Sequence, residues 1–405
     1  MTDDAYLARQ RADLLRFAAG SRHRLGFGWL EADGSVDLGR PVELWLTCRM
    51  THVFSLGMLA GEAPAVGGPD QAALRALAAH GVRALCTTLA DEEHGGWYAS
   101  VGPDGPVDES KQAYGHAFVA LAASSAVAAK IPGAQALLEK ALAVQDQHFW
   151  DEEEGLVVEE WDRSWSRLDG YRGINANMHT VEAYLAAGDV SGQPQWHRRA
   201  ARIAERVAGW GRDHQWRLPE HFDSMWTPML EHHRDQPAHP FRPYGATVGH
   251  GLEWARLMVA VDASLGEDAP QGLVEAAVAL ADRAVADGWA SDGSDGFVYT
   301  TDWSGRPVVR TRMHWVVAEA VSTAEVLHRV TGLPRYRDDA VRWWAYADRH
   351  LVDHDQGSWH HELDEMNRPT VQMWPGKPDV YHAYQAALLP LLPIAPSFAT
   401  ALARG

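Results

Sequence analysis

The sequence predicts an all-α fold: an (α/α)6 barrel, a toroid of six helix pairs with short β-hairpins on one face. Three observations lead there. A turn-rich segment recurs roughly every 60 to 70 residues along the 405-residue chain. Each interval holds two stretches with the apolar spacing of a helix. The terminal units are not unusually polar, as the caps of an open solenoid would be, so the units are expected to close on one another. Residues 1–405 are read as one catalytic domain.

The turn-rich segment first appears as Gly26-Phe27-Gly28-Trp29-Leu30, ahead of Asp33-Gly34. It returns at Gly95-Gly96-Trp97-Tyr98, Gly155-Leu156-Val157-Val158, Gly296-Phe297-Val298-Tyr299 and Gly357-Ser358-Trp359-His360. A copy without the glycine reads Leu218-Pro219-Glu220-His221-Phe222-Asp223. Apolar residues bounded by Gly, Asp and Pro turns predict a hairpin in each. The helical stretches between them pair as 6–19 with 42–59, 71–89 with 112–128, 133–147 with 175–187, 195–210 with 248–261, 272–286 with 311–330, and 336–350 with 380–392. The second helix of each pair is Ala-rich and begins with polar residues, as an inner helix around a shared pocket should.

Composition narrows the function. Apolar residues make up 46%, enough for a large core, and no run reaches the roughly 18 residues needed to span a bilayer. The start, Met1 to Ala5, shows no basic stretch followed by an apolar one, so a cytoplasmic protein is expected. A net charge of −18 argues against nucleic acid and anionic membrane as partners. Cys48 and Cys86 read as two reduced, buried thiols. With 18 Trp and 21 His, a pocket with flat apolar walls and titratable groups is expected, which suits a sugar.

The polar residues of the inner helices carry the chemistry. Arg49 and His52 lie on the second helix, Tyr114 and His116 open the fourth, Asn177, His179 and Glu182 the sixth, and His250 and Glu253 the eighth. His314, Trp315 and Glu319 lie on the tenth, and His382 opens the twelfth. One histidine near the start of each inner helix is more than core packing explains. His52, His116 and His314 are as well explained by wall packing as by chemistry. His179, His250 and His382 point to acid–base work, because imidazole titrates near neutrality. Glu182 and Glu253 each sit three residues after a histidine, on the same helix face. No H-E-x-x-H pair, cysteine cluster or nucleotide loop is present, so neither metal nor cofactor is expected. A glycosidase using Glu253 and Glu319 is the other enzyme reading; the density of histidine argues against it. A binding toroid without turnover is the non-enzymatic one.

At these residues the chain resembles the N-acylglucosamine 2-epimerase superfamily. The resemblance rests on residues 45–52 (WLTCRMTH), 237–242 (PAHPFR), 249–257 (GHGLEWARL) and 377–382 (KPDVYH). Within the superfamily these are most similar to the metal-free aldose–ketose isomerases acting on mannose and to their sulfoquinovose relatives. The resemblance implies the (α/α)6 barrel, a monosaccharide substrate (D-mannose to D-fructose, or D-lyxose to D-xylulose) and named roles. Arg49 would contact substrate oxygens and hold a developing enediolate. Asn177 and His179 match the family's N-x-H, His250 and Glu253 its H-x-x-E, Glu319 its acidic residue on the tenth helix, and His382 its last histidine. Arg242 falls in a segment common to mannose and sulfosugar enzymes. His382 is then the expected base at C2, and His250, with Glu253 orienting it, the group that opens the ring. His179 is a supporting acid or base, while Tyr114, His116, Asn177, Trp315, Glu319 and Arg242 are expected to contact substrate. C2 epimerisation is the alternative outcome of the same apparatus.

Overall fold

A computed structural model describes residues 3–405. Thirteen α-helices are found among them: α1 (Asp4–Ala18), α2 (Leu44–Ala60), α3 (Gln71–Cys86), α4 (Ala113–Ala128), α5 (Ala134–Val144), α6 (Ile174–Ser191), α7 (Pro194–Asp213), α8 (Val248–Leu265), α9 (Leu273–Gly288), α10 (His314–Thr331), α11 (Pro334–Tyr346), α12 (Tyr381–Leu388) and α13 (Phe398–Arg404). The even-numbered helices α2 to α12 are the inner ring. Each packs on the next, and α12 packs back on α2. The inner helices are buried nearly all round, as α4 shows from Gly115 to Ala126. Outer helices bury one stripe, as α7 does with Trp196, Ala200, Ile203, Ala204, Val207 and Ala208.

Local signals set the ends. The side chains of Asp3 and Asp70 cap α1 and α3 by accepting from Ala5 and Ala73 N–H. Pro194 and Pro334 stand in the first turns of α7 and α11. Gly192 and Gly332 end α6 and α10 at φ 69° and 68°, a left-handed conformation that glycine adopts without a Cβ penalty. Only Gly192-Gln193 then separates α6 from α7, and only Gly332-Leu333 separates α10 from α11.

These short links revise the expected pairing. The tight antiparallel partners are an inner helix and the outer helix that follows it: α2 with α3, α4 with α5, α6 with α7, α8 with α9 and α10 with α11. The ring is completed by α12 packing on α1, its last inner helix on its first outer one. Every long connection therefore falls on the face where the inner helices begin.

The hairpins form there, and they do more than turn the chain. Trp150–Asp151 pairs locally with Leu156–Val157, and Ala90, Trp289 and Val352 bridge Trp97, Phe297 and Trp359. In addition, the two residues before one inner helix pair with the hairpin of the next unit. Val42–Glu43 joins Ser100–Gly102, Lys111–Gln112 joins Glu160–Trp161, and Arg172–Gly173 joins His221–Phe222. Ala246–Thr247 joins Thr300–Thr301, and Arg312–Met313 joins Glu362–Leu363. A backbone bond of 2.9 Å from Lys377 N–H to the Leu30 carbonyl closes the circuit. Buried ion pairs brace the belt: Lys111–Asp91 at 2.8 Å, Arg312–Asp292 at 2.8 Å and Lys377–Asp353 at 2.5 Å. At the far end α12 stops at Leu388, short of the expected 392. The unforeseen α13 folds back against α2, α4 and α6. Cys48 is buried as expected, but Cys86, the last residue of α3, is exposed. No described helix is long and apolar enough to cross a membrane.

Candidate active site

The belt fixes where each inner helix starts, and the first turns of all six converge on one cleft of about 760 Å³, its mouth included. Helix periodicity decides which side chains enter it. Asn175 and His179 on α6 are four apart, share a face and line the cleft. Asn177 lies between them on the opposite face. It is fully buried, accepting from Val157 N–H and donating to the Val157 and Gly173 carbonyls. The same rule admits Tyr114 and excludes His116, two residues on. His116 Nδ1 donates to the Gln112 carbonyl at 2.8 Å, and its Nε2 accepts from Trp97 N–H at 3.2 Å. Asn177 and His116, expected to contact substrate, are thus pins between hairpin and helix. Arg242 also stays outside the lining, its guanidinium 3.9 Å from the centre of the Tyr171 ring. Arg49, Tyr114, His179, His250, Glu253, Trp315 and His382 are brought together as expected, with His314 beside them.

Two imidazoles in the cleft are backed by carboxylates. His382 Nδ1 donates to Glu319 Oε1 at 2.9 Å, and Glu319 Oε2 accepts from Arg256 Nε at 2.8 Å. His250 Nδ1 donates to Glu220 Oε2, also at 2.9 Å. A carboxylate only accepts, so each ring carries a proton on Nδ1, and its neutral form keeps the lone pair on Nε2. Trp315 stands between the two rings, 5.3 Å from His250 and 5.7 Å from His382. Two expectations change here. Glu319 lies behind His382 as its orienting partner, not on the substrate side. His250 takes Glu220 from the loop before α8 in place of Glu253 from its own helix.

Glu253 is 1% exposed, and its Oε1 makes no hydrogen bond. That oxygen lies 3.8 Å from both His179 Nδ1 and an Arg256 nitrogen. Burial, with Glu319 next in effect, pushes the Glu253 carboxyl well above the usual range. Burial pushes Glu319 up too, against the pull of Arg256. Of this pair, Glu319 has the cation and the imidazole, so it holds the charge and Glu253 the proton. Glu253, Glu319 and His382 offer ligand atoms within 4.8 Å of one another. The cation already bonded to that group is the Arg256 guanidinium.

Three histidines of the cleft are held neutral. Burial pushes His179 and His314 down to about 4 and His382 well below its ordinary value, Arg49 adding to the effect on His382. His179 Nδ1 stands 3.9 Å from Glu182, too far for a hydrogen bond; Glu182 instead accepts from the Tyr381 hydroxyl. Also lining the cleft, Arg49 donates to Asp379 Oδ2 at 3.0 Å and to the Tyr114 hydroxyl at 2.9 Å. The rings of Phe118 and Tyr381 flank it at 4.6 and 4.7 Å. His52 lies deeper, bonded to Ser125 at 2.7 Å. Sequence reasoning missed Glu220, Arg256, Asp379, Tyr299 and His361. Glu220 did leave a sign, since its hairpin copy is the one that lacks a glycine.

A ring of helices around a cleft with two carboxylate-backed imidazoles defines an α/α toroid built for proton transfer. The chain belongs to the N-acylglucosamine 2-epimerase (GlcNAc 2-epimerase) family, whose model matches residues 26–386. It is 50% identical to the D-mannose isomerase of Thermobifida fusca, over 98% of this chain and 97% of that one. It is 44% identical to the D-mannose isomerase of Pseudomonas cannabina pv. alisalensis, over 98% and 95%. A crystal structure of D-mannose isomerase superposes with a TM-score of 0.87 at 26% identity, covering 96% of this chain and 99% of that one. The cellobiose 2-epimerase of Spirochaeta thermophila shares the fold, with a TM-score of 0.81 at 22% identity over 96% and 95%.

Proposed function

We propose that this chain is an aldose–ketose isomerase interconverting D-mannose and D-fructose through an enediolate. The observation that carries the reading is the Arg256–Glu319–His382 series, which presents a neutral imidazole nitrogen to the cleft. Full-length relatives named D-mannose isomerase support the substrate. His250 Nε2 takes the anomeric hydroxyl proton and delivers it to the ring oxygen as the C1–O5 bond breaks, and protonated Glu253 hydrogen-bonds the sugar oxygens. His382 Nε2 then takes the proton from C2. The C2–H electron pair becomes the C1=C2 double bond, and the carbonyl pair moves onto O1. Arg49 stabilises that oxygen as charge develops. His250, neutral again after ring opening, relays the O2 hydroxyl proton to O1. The proton on His382 returns to C1, leaving the carbonyl at C2. Each acid–base step of this kind contributes about 10²–10⁴-fold.

His250, backed by Glu220, favours a second reading: reprotonation of C2 from the other face, which is 2-epimerisation. Incubation with D-mannose labelled with deuterium at C2 separates the two. Isomerisation yields fructose with part of the label at C1; epimerisation yields glucose and no fructose. His382→Asn should abolish turnover in either case, and a variant with near-normal activity refutes the base assignment.

A further inference from the structure

Four histidines outside the reaction cleft stand ring against ring in the connection between α7 and α8. Pro240, Phe241 and Pro243 of that connection line the mouth of the cleft. Phe241 meets Trp374, from the connection before α12, edge to face at 5.1 Å, so this segment roofs the entrance. Imidazoles hold the roof. His239 Nδ1 accepts from the N–H groups of both Phe241 (3.3 Å) and Arg242 (3.1 Å). His233 Nδ1 donates to the Arg242 carbonyl at 2.7 Å, and His221 Nε2 donates to the Pro243 carbonyl at 2.8 Å. The rings form a column: His239 to His233 at 4.7 Å, His233 to His232 at 4.1 Å, His232 to His221 at 4.6 Å.

A nitrogen that accepts two N–H groups carries no proton of its own. Protonated, His239 Nδ1 becomes a donor facing two donors, and that contact is lost. The column opposes charge for as long as it stays stacked, since each ring that charges faces another within 5 Å. Arg242 adds a fixed cation from the roof itself. Its guanidinium is packed on Tyr171, whose hydroxyl donates to His221 Nδ1 at 2.7 Å. Few anions offset this. Glu220 is bonded to His250, Glu231 pairs with Arg234, and Glu159 and Glu160 act on Arg242, Glu159 also on Tyr171. Burial, then His233 and Arg242, pushes His239 below its ordinary value, and burial and the neighbouring rings push His232 to about 4.

We propose that His239 is a positioning residue: neutral, it ties residues 240–242 down over the cleft; protonated within the column, it releases them, so acid pH weakens sugar capture without touching the proton-transfer groups. The kinetic half of this rests on the isomerase reading; the structural half does not. The test compares the full-length protein with His239→Asn and His239→Leu. An asparagine oxygen accepts from the N–H groups two and three residues on, as His239 does, and does not titrate.

Hydrogen–deuterium exchange of the peptide covering 228–244, corrected for intrinsic pH dependence, needs no substrate. Exchange in the parent chain should rise about tenfold from pH 7.5 to 5.0, the size expected for one or two lost backbone hydrogen bonds. His239→Asn should stay flat, and His239→Leu should be fast at both pH values. On D-mannose, KM of the parent should rise by a similar factor while kcat holds, and KM of His239→Asn should not rise. Equal pH dependence in the parent and His239→Asn, or full protection in His239→Leu, overturns the proposal, as does a kcat that falls at constant KM. No turnover on mannose overturns the isomerase reading alone, and the exchange result still decides the role of His239.

Discussion

Glu319→Gln tests the site at its most connected point. The carboxylate serves two donors, His382 Nδ1–H on one oxygen and Arg256 Nε–H on the other, at 2.9 and 2.8 Å. Glutamine keeps the volume but has one acceptor and one donor. Arg256 cannot become an acceptor, so the amide oxygen must turn to it and the NH2 to His382. His382 then carries its lone pair on Nδ1, and Nε2–H, no longer a base, faces the cleft. Loss of a charge-assisted hydrogen bond alone costs about 1.5–3 kcal/mol, or roughly 10- to 150-fold in rate. The wrong tautomer adds to that; the corresponding acid-to-amide change in hydrolase triads costs about 10⁴. The expected result is a kcat lower by about 10³–10⁴ with KM within about threefold, since binding groups are untouched. Initial rates of fructose formation over a range of mannose concentrations read both constants. Glu319→Ala is the contrast: it strands Arg256 in a buried site and should cost about 3–5 kcal/mol of stability, read by denaturant unfolding. A Glu319→Gln enzyme within tenfold of the parent in kcat refutes the tautomer argument.

Three further outcomes follow from the same geometry. Because burial and Arg49 depress the His382 pKa, the free-base form persists as pH falls past 6.5 and is lost only near the depressed value; kcat at saturating mannose should therefore hold as pH falls from 8 through 6.5, and a limb centred on 6.5 contradicts this. Gly249→Ala places a Cβ against the Trp315 ring, with Val316 Cγ2 at 2.8 Å, so the ring between His250 and His382 must shift; a loss of about 1–3 kcal/mol in unfolding free energy with a fall in kcat/KM is expected, and unchanged kinetics would show that Trp315 does not position the pair. Asn177→Ala removes three buried hydrogen bonds to Val157 and Gly173 and should lower stability by about 2–4 kcal/mol with kcat/KM changed less than about threefold; a kinetic loss at unchanged stability would return Asn177 to the substrate.

The ring itself was legible because it is written as a repeat: apolar spacing gave the helices, and turn residues gave the hairpins. The belt that ties Val42–Glu43 to Ser100–Gly102, and each later unit to its neighbour, was not. Its strands are two or three residues long, too short for an alternating pattern. α13 was hidden for a related reason, being only seven residues long and stable by packing on α2, α4 and α6. In the site, residues were found but partners were not. A helix shows its own i, i+3 neighbours, so His250 was matched to Glu253. The three-dimensional partner, Glu220, comes from a loop 30 residues earlier. Asn177 and His116 failed by the same one-dimensional view. Both lie two positions from true lining residues, which on a helix is the opposite face.

That pattern explains how the toroid makes two imidazoles from one repeat do different work. His250 and His382 sit alike at the start of α8 and α12, both with Nδ1 on a carboxylate and both against Trp315. Their second partners differ. Glu319 is bonded to Arg256 inside the ring and is 3% exposed, so its charge is held by a buried cation and the hydrogen bond to His382 cannot be replaced by water. Glu220 is as buried, but its other oxygen has no hydrogen-bond partner, and its imidazole is 12% exposed in the side chain against 6% for that of His382. Base strength at the sheltered position does not depend on solvent, which suits removal of a weakly acidic carbon-bound proton. The more exposed position suits exchange with sugar hydroxyls and water. The division of labour is thus set by the cation behind one carboxylate and by the exposure of the other imidazole, which neither histidine's own sequence context reveals.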